Sequence, residues 1–143
     1  RRRADMPPLG VGDAADPWLR FGGLKGFTDG SLGGHTAYFF EPYADAPGNC
    51  GLLLPDMFPA GAMEKRVREA DMAGIPLSIH AIGDRANSLL LDIFESVTQA
   101  NGQRDRRLRI EHAQHLRQSQ QKRALAQAAE RHFSFCHEKH LRK

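Results

Sequence analysis

Three short segments with strand-like patterning, Leu24-Lys25-Gly26-Phe27-Thr28, Ile75-Pro76-Leu77-Ser78-Ile79-His80 and Arg107-Leu108-Arg109-Ile110-Glu111-His112, are separated by single helical patterns. Strands joined through a helix cannot form hairpins; they pair in parallel, and each crossover lays its helix against the sheet. This order predicts an α/β fold. The first crossover helix repeats Met63, Val67 and Ala70 at i, i+4 and i+7, with Pro59 suited to its start and Gly74 to its end. The second is the clearest element in the chain. Ala86, Leu89, Leu90, Ile93, Phe94 and Val97 form one apolar stripe, Asp84 is placed to cap it, and Asn101-Gly102 closes it. A third, weaker helix is expected from a Ser119 cap to about Arg131.

Between the first strand and the first helix runs a loop, from about Asp29 to Pro55, rich in Gly, Pro and aromatic residues. Connections of that length inside a compact domain usually carry function, so this one is a candidate wall or lid of a site. Residues 1–20 read as an irregular lead-in, broken by Pro7, Pro8, Gly10, Gly12 and Pro17. The chain thus divides into a lead-in (1–20), an α/β body (21–116) and a helix with a divergent basic tail (117–143).

Composition narrows the partners. With 41% hydrophobic and 26% charged residues, the chain is of globular type. Its net charge of +3 hides an asymmetry: residues 4–102 hold 6 basic against 13 acidic residues, and residues 103–143 hold 11 against 4. The basic third lacks interleaved aromatics and any zinc-finger or RNP-type pattern, so nucleic acid is not an expected partner. No apolar run approaches the roughly 20 residues of a membrane span, and no membrane partner is expected either. Cys50 and Cys136 stand far apart in no CxxC spacing and read as reduced thiols of a cytoplasmic protein. The opening Arg1-Arg2-Arg3, without an initiator Met, suggests a chain cut from something longer.

The chemistry-bearing residues sit where such a fold brings them together. All three fall at the ends of successive predicted strands, Lys25 near the first, His80 closing the second and His112 closing the third. In parallel α/β folds the carboxyl ends of the strands converge on one rim, where the site forms. Two strand-end histidines with a lysine beside them point to a metal site rather than to isolated hydrogen-bonding residues. His132, His137 and His140 in the tail have no upstream CxxC or HExxH to support them and read as solvated.

The wording of the segments adds to this. Leu24 to Gly33 (LKGFTDGSLG), Ser78 to Ala86 (SIHAIGDRA) and Arg109 to Gln114 (RIEHAQ) strongly resemble the amidohydrolase superfamily. More narrowly they resemble amidohydrolase family 3, the branch that includes N-substituted formamide deformylase-like metal-dependent hydrolases. The loop from Tyr38 to Gly51 (YFFEPYADAPGNCG) is similar to the same family. A chain of 143 residues is shorter than the roughly 250 of a complete (β/α)₈ barrel. The resemblance, running from about Leu24 to Leu116, therefore implies a partial TIM barrel, about its fourth to sixth βα units.

By that resemblance Lys25 matches the fourth-strand lysine that is carboxylated and supports the metal, and His80 and His112 match the fifth- and sixth-strand metal histidines. An ammonium cannot ligate, but a neutral amine that has taken up CO₂ is a carbamate, an oxygen donor like a carboxylate. Together with imidazoles it suits Zn²⁺, as one or two divalent ions. The implied reaction is hydrolysis of a non-peptide, amide-type C–N bond in a small molecule by a metal-activated water. Asp29, His35, Asp84 and Arg85 are candidates to support the ligands or to face substrate. Glu111, on the opposite strand face from His112, reads as structural or as a support to a ligand, and His115 as a surface residue.

Three departures from the family pattern stand out. The chain contains no HxH pair, no aspartate is identifiable as the eighth-strand proton acceptor, and beyond Leu116 the expected strands dissolve into RHFSFCHEKHLRK. The expectation is a piece of a longer hydrolase, inactive alone. A non-catalytic remnant serving as a binding or regulatory module is the rival reading, and nucleic-acid binding by the basic third a weaker one.

Overall fold

The computed structural model describes residues 22–102, 104, 106, 108–129 and 133–137. The expectations for the lead-in and for His132 and His140 lie outside them. Strands β1 (Leu24–Phe27), β2 (Leu77–Ala81), β3 (Leu108–His112) and β4 (Phe133–His137) alternate with helices α1 (Ala62–Met72), α2 (Asp84–Asn101) and α3 (Gln118–Ala129). All strand pairs are parallel, in the order β1-β2-β3-β4. This is the α/β architecture expected from the spacing, with one correction. The RHFSFCHEK stretch, read above as a tail without strands, contains β4, whose His137 pairs in register with His112.

The helices lie on one face of the sheet. Leu77, Ile79 and Ala81 of β2 and Leu108 and Ile110 of β3 join Met63, Val67 and Ala70 of α1, Leu90, Leu91, Phe94 and Val97 of α2, and Ala124 of α3 in a single buried core. The alternate positions, Ser78, His80, Arg109 and Glu111, point the other way, and no described helix covers them. That open face therefore carries Lys25 and Phe27 in register with Ser78 and His80, and Arg109 and Glu111 beyond them.

Local chemistry sets the helix ends. After α1, Gly74 takes a left-handed φ of 71°. Its N–H then reaches the Asp71 carbonyl at 3.0 Å while that of Ile75 reaches Ala70 at 2.9 Å, the paired closure that turns the chain into β2. The other two helices depart from the expected caps. Asp84 is the first residue of α2 and makes no capping bond; the cap position is Gly83. The free N–H groups of Arg85 and Ala86 are taken instead by the backbone carbonyl of Tyr38, each at 3.2 Å. Ser119 lies inside α3 rather than capping it; Gln120 reaches back to the Arg117 N–H at 2.8 Å.

Candidate metal centre

The ladder aligns His80 with Glu111 and Ala81 with His112, so regular alternation would send the two histidines to opposite faces of the sheet. The backbone departs from it. His112 and Ala113 both have left-handed φ, 72° and 45°, and the His112 ring meets that of His80 edge-on, centroids 4.8 Å apart at 71°. Each non-glycine residue held there costs about 1–2 kcal/mol, and two in succession at a strand end mark a geometry that the surrounding fold enforces.

His80 is oriented from behind. Its side chain is 13% exposed, its Nε2–H donates to the Gly30 carbonyl at 2.8 Å, and Asp29 Oδ1 lies 3.5 Å from the same nitrogen. With the proton on Nε2, the lone pair is on Nδ1, the state in which an imidazole binds a metal. Lys25 is exposed on the same open face, one pleat before the level of His80, with Nζ 5.3 Å from the centre of the Phe27 ring. Glu111 stands level with His80 and pairs with Arg109 at 2.8 Å. It thus shares the open face with His80, a placement that strand alternation from His112 alone did not bring out.

Asp29 holds the frame. Fully buried, it accepts the N–H groups of Tyr38 (2.8 Å), Ile82 (3.0 Å) and Gly83 (2.8 Å), tying β1, the long loop and the β2–α2 turn to one carboxylate. Burial pushes its carboxyl above the usual aspartate range, outweighing the lowering by those three amides and by His80.

The other candidates face elsewhere. Asp84 accepts the Phe40 N–H at 2.9 Å and Arg117 Nε at 2.6 Å. Arg85 lies over the Tyr38 ring at 4.7 Å and near that of Phe40 at 5.7 Å. Both brace the loop against α2 rather than His80. His35 pairs with Asp45, within the loop. His115 is exposed, as expected, its ring 5.2 Å from that of Phe39.

The donor chemistry fits a divalent metal in part. Two imidazoles converge, one of them held in the metal-binding tautomer, and a lysine shares the His80 face. Among the described residues no group of three or more His, Cys, Asp or Glu residues is gathered about one point.

Comparison with known proteins agrees with the residues. Positions 6–142 match the profile of the Amidohydrolase family, a span wider than the stretch from Leu24 to Leu116 that carries the motif resemblance. The chain is 50% identical over 108 residues to Protein LONG AFTER FAR-RED 3 of Arabidopsis thaliana, and 39% identical over 100 residues to the Putative amidohydrolase YtcJ of Bacillus subtilis (strain 168). These alignments cover 76% and 70% of this chain but only 18% of either relative. Crystal structures of uncharacterized metal-dependent hydrolases from Pyrococcus horikoshii OT3 and Pyrococcus furiosus superpose with a TM-score of 0.62 at 37% identity, over 73% of this chain and 20% of theirs. Sequence motifs, parallel βα order and these likenesses agree: the chain belongs to the amidohydrolase family, and spans about a fifth of the length of the relatives it matches.

Proposed function

We propose that this chain supplies about the fourth to sixth βα units of a TIM barrel in a metal-dependent hydrolase of non-peptide, amide-type C–N bonds. The meeting of His80 and His112 across β2 and β3 carries the reading, because two left-handed residues are needed to produce it. His80 and His112 would hold the metal by their imidazoles, and Lys25, as its carbamate, would add an oxygen donor from the same open face. Zn²⁺, which suits such donors, would when bound lower the pKa of a water and polarise the scissile carbonyl. Asp29 keeps the β2–α2 turn fixed behind His80, and the Gly30 carbonyl keeps the imidazole in one tautomer. The remaining ligands and the proton acceptor of the family pattern would come from outside the described residues, which supports the reading of a piece that needs the rest of the barrel to work.

The test is metal analysis of the natural-length protein and of its His80→Ala and His112→Ala variants, alongside hydrolysis of simple N-substituted formamides. Stoichiometric divalent metal in the wild type and its loss in both variants are expected. Wild-type protein without metal, or variants that keep it, overturns the hydrolase reading in favour of a binding module.

A further inference from the structure

The two histidines stand at the exits of β2 and β3, and one side chain reaches both exits. Asn87, near the start of α2, is fully buried. Its Nδ2 lies 2.9 Å from the Gly83 carbonyl oxygen and 3.2 Å from that of Ile82, with the oxygens of His115 and Ala81 next at 3.4 and 3.5 Å. Three of these carbonyls belong to the turn that follows His80; the fourth belongs to the turn that follows His112. Backbone bonds join the same two turns. The Ala113 N–H donates to the Ala81 carbonyl at 3.1 Å, and the His115 N–H to that of Ile82 at 3.0 Å. Asn87 thus sits where the two exits cross.

The surroundings demand an amide there. Carbonyl oxygens clustered about one atom call for a donor, and the reversed amide would set oxygen against oxygen. A carboxylate of the same shape would meet the same repulsion, and an aliphatic side chain would leave the oxygens unmet. The far end of the group makes the same point. Asn87 Oδ1 is buried with no hydrogen-bond partner among the described residues, a cost that an apolar residue chosen for packing alone would not incur. The fold bears that cost beside His112 and Ala113, whose left-handed backbone must be held by something outside the strand.

We propose that Asn87 is a positioning residue of the metal centre: it holds the β3 exit against the β2 exit, so that the His112 ring meets that of His80. This rests on the reading of the two histidines as metal ligands. Ala81 directly follows His80 and Ala113 directly follows His112, and the bond between them carries the tie. Asn87 acts through this backbone junction and not on the metal itself.

The experiment compares the natural-length wild type with Asn87→Leu, which keeps the branching but has no donor, and with Val97→Ala, which removes buried packing further along the same helix. In metal-free protein with labelled histidine, a nuclear Overhauser contact between the His80 and His112 rings is expected in the wild type and in Val97→Ala, and its loss in Asn87→Leu. Zn²⁺ titration should show an affinity about 10- to 100-fold weaker in Asn87→Leu and little changed in Val97→Ala. Should Asn87→Leu fail to fold, hydrogen exchange of the wild type decides. The Asn87 side-chain amide and the Ala113 and His115 N–H groups should be protected and open together. Ring contact and affinity kept in Asn87→Leu, equal losses in both variants, or a freely exchanging Asn87 amide overturns this inference alone. A wild type that binds no Zn²⁺ overturns the metal reading and this inference with it.

Discussion

The Asp29 carboxylate accepts the N–H of Gly83 at 2.8 Å across 54 residues of sequence. Through this bond and its two companions, the end of β1 dictates where the chain leaves β2, and so where His80 sits.

Asp29→Ala removes the acceptor from three amides at once, at a position that water does not reach. Unsatisfied buried donors cost about 1–3 kcal/mol each, and relaxation of the loop recovers part of it. A loss of about 3 kcal/mol is expected in urea denaturation. Asp29→Asn, which keeps one acceptor, should lose less; an equal loss would show that the amides are not the cause.

Gly83 admits no side chain. A Cβ built there would stand 2.0 Å from the Tyr38 carbonyl oxygen and 2.4 Å from its carbon, both backbone atoms that cannot swing aside. Gly83→Ala should therefore destabilise by about 2–3 kcal/mol, the scale of overpacking. The same substitution at Gly48, where nothing lies within 4 Å of the added carbon, should be nearly silent in the same denaturation assay.

Asp71, 3% exposed, receives Asn101 Nδ2 and Arg104 at 2.7 Å and Arg106 Nε at 2.9 Å. Burial pushes its carboxyl up, but Asn101, Arg104 and Arg106 together outweigh burial and hold it below the ordinary aspartate value. The stability it contributes is then fully present above the unfolded-state pKa of about 3.9 and is lost as pH falls through the lower folded value. Urea denaturation repeated from pH 6 downwards should show this acid-side loss, and Asp71→Asn should abolish its share of it. At neutral pH that variant, leaving buried Arg106 without the carboxylate, should be less stable by about 3–5 kcal/mol.

Among the described residues Phe94 is the largest fully buried side chain, at 1% exposure in the stripe of α2. Phe94→Ala should cost about 3–5 kcal/mol by leaving a cavity, and Phe94→Leu clearly less. Thermal unfolding of the pair checks this; similar losses would mean that the site collapses around either side chain.

What the sequence made legible follows from where its signals live. The stripe from Ala86 to Val97 and the alternation from Leu77 to His80 are side-chain patterns, and both elements formed where the periodicity put them. The alternation of Phe133, Ser134, Phe135 and Cys136 was equally present, but its basic flanks disguised it as tail. Asp84 and Ser119 have the residue types of caps, yet a distant carbonyl and a glutamine took those roles, because competition among partners is decided in three dimensions. Asp29 was visible only as a neighbour of the site, since backbone amides bear no residue signature. The turn that brings His112 to His80 depends on dihedral angles in a non-glycine pair, which composition cannot announce.

The Tyr38 carbonyl that satisfies the first amides of α2 has a consequence for motion. Because loop and helix share those bonds, the stretch around Tyr38 cannot lift away without fraying the first turn of α2, and that fraying would release the turn behind His80. Hydrogen exchange at Arg85 and Ala86 should then report on the loop as much as on the helix, with the two opening as one cooperative unit. A segment without regular structure of its own thereby acquires the persistence of the helix it caps.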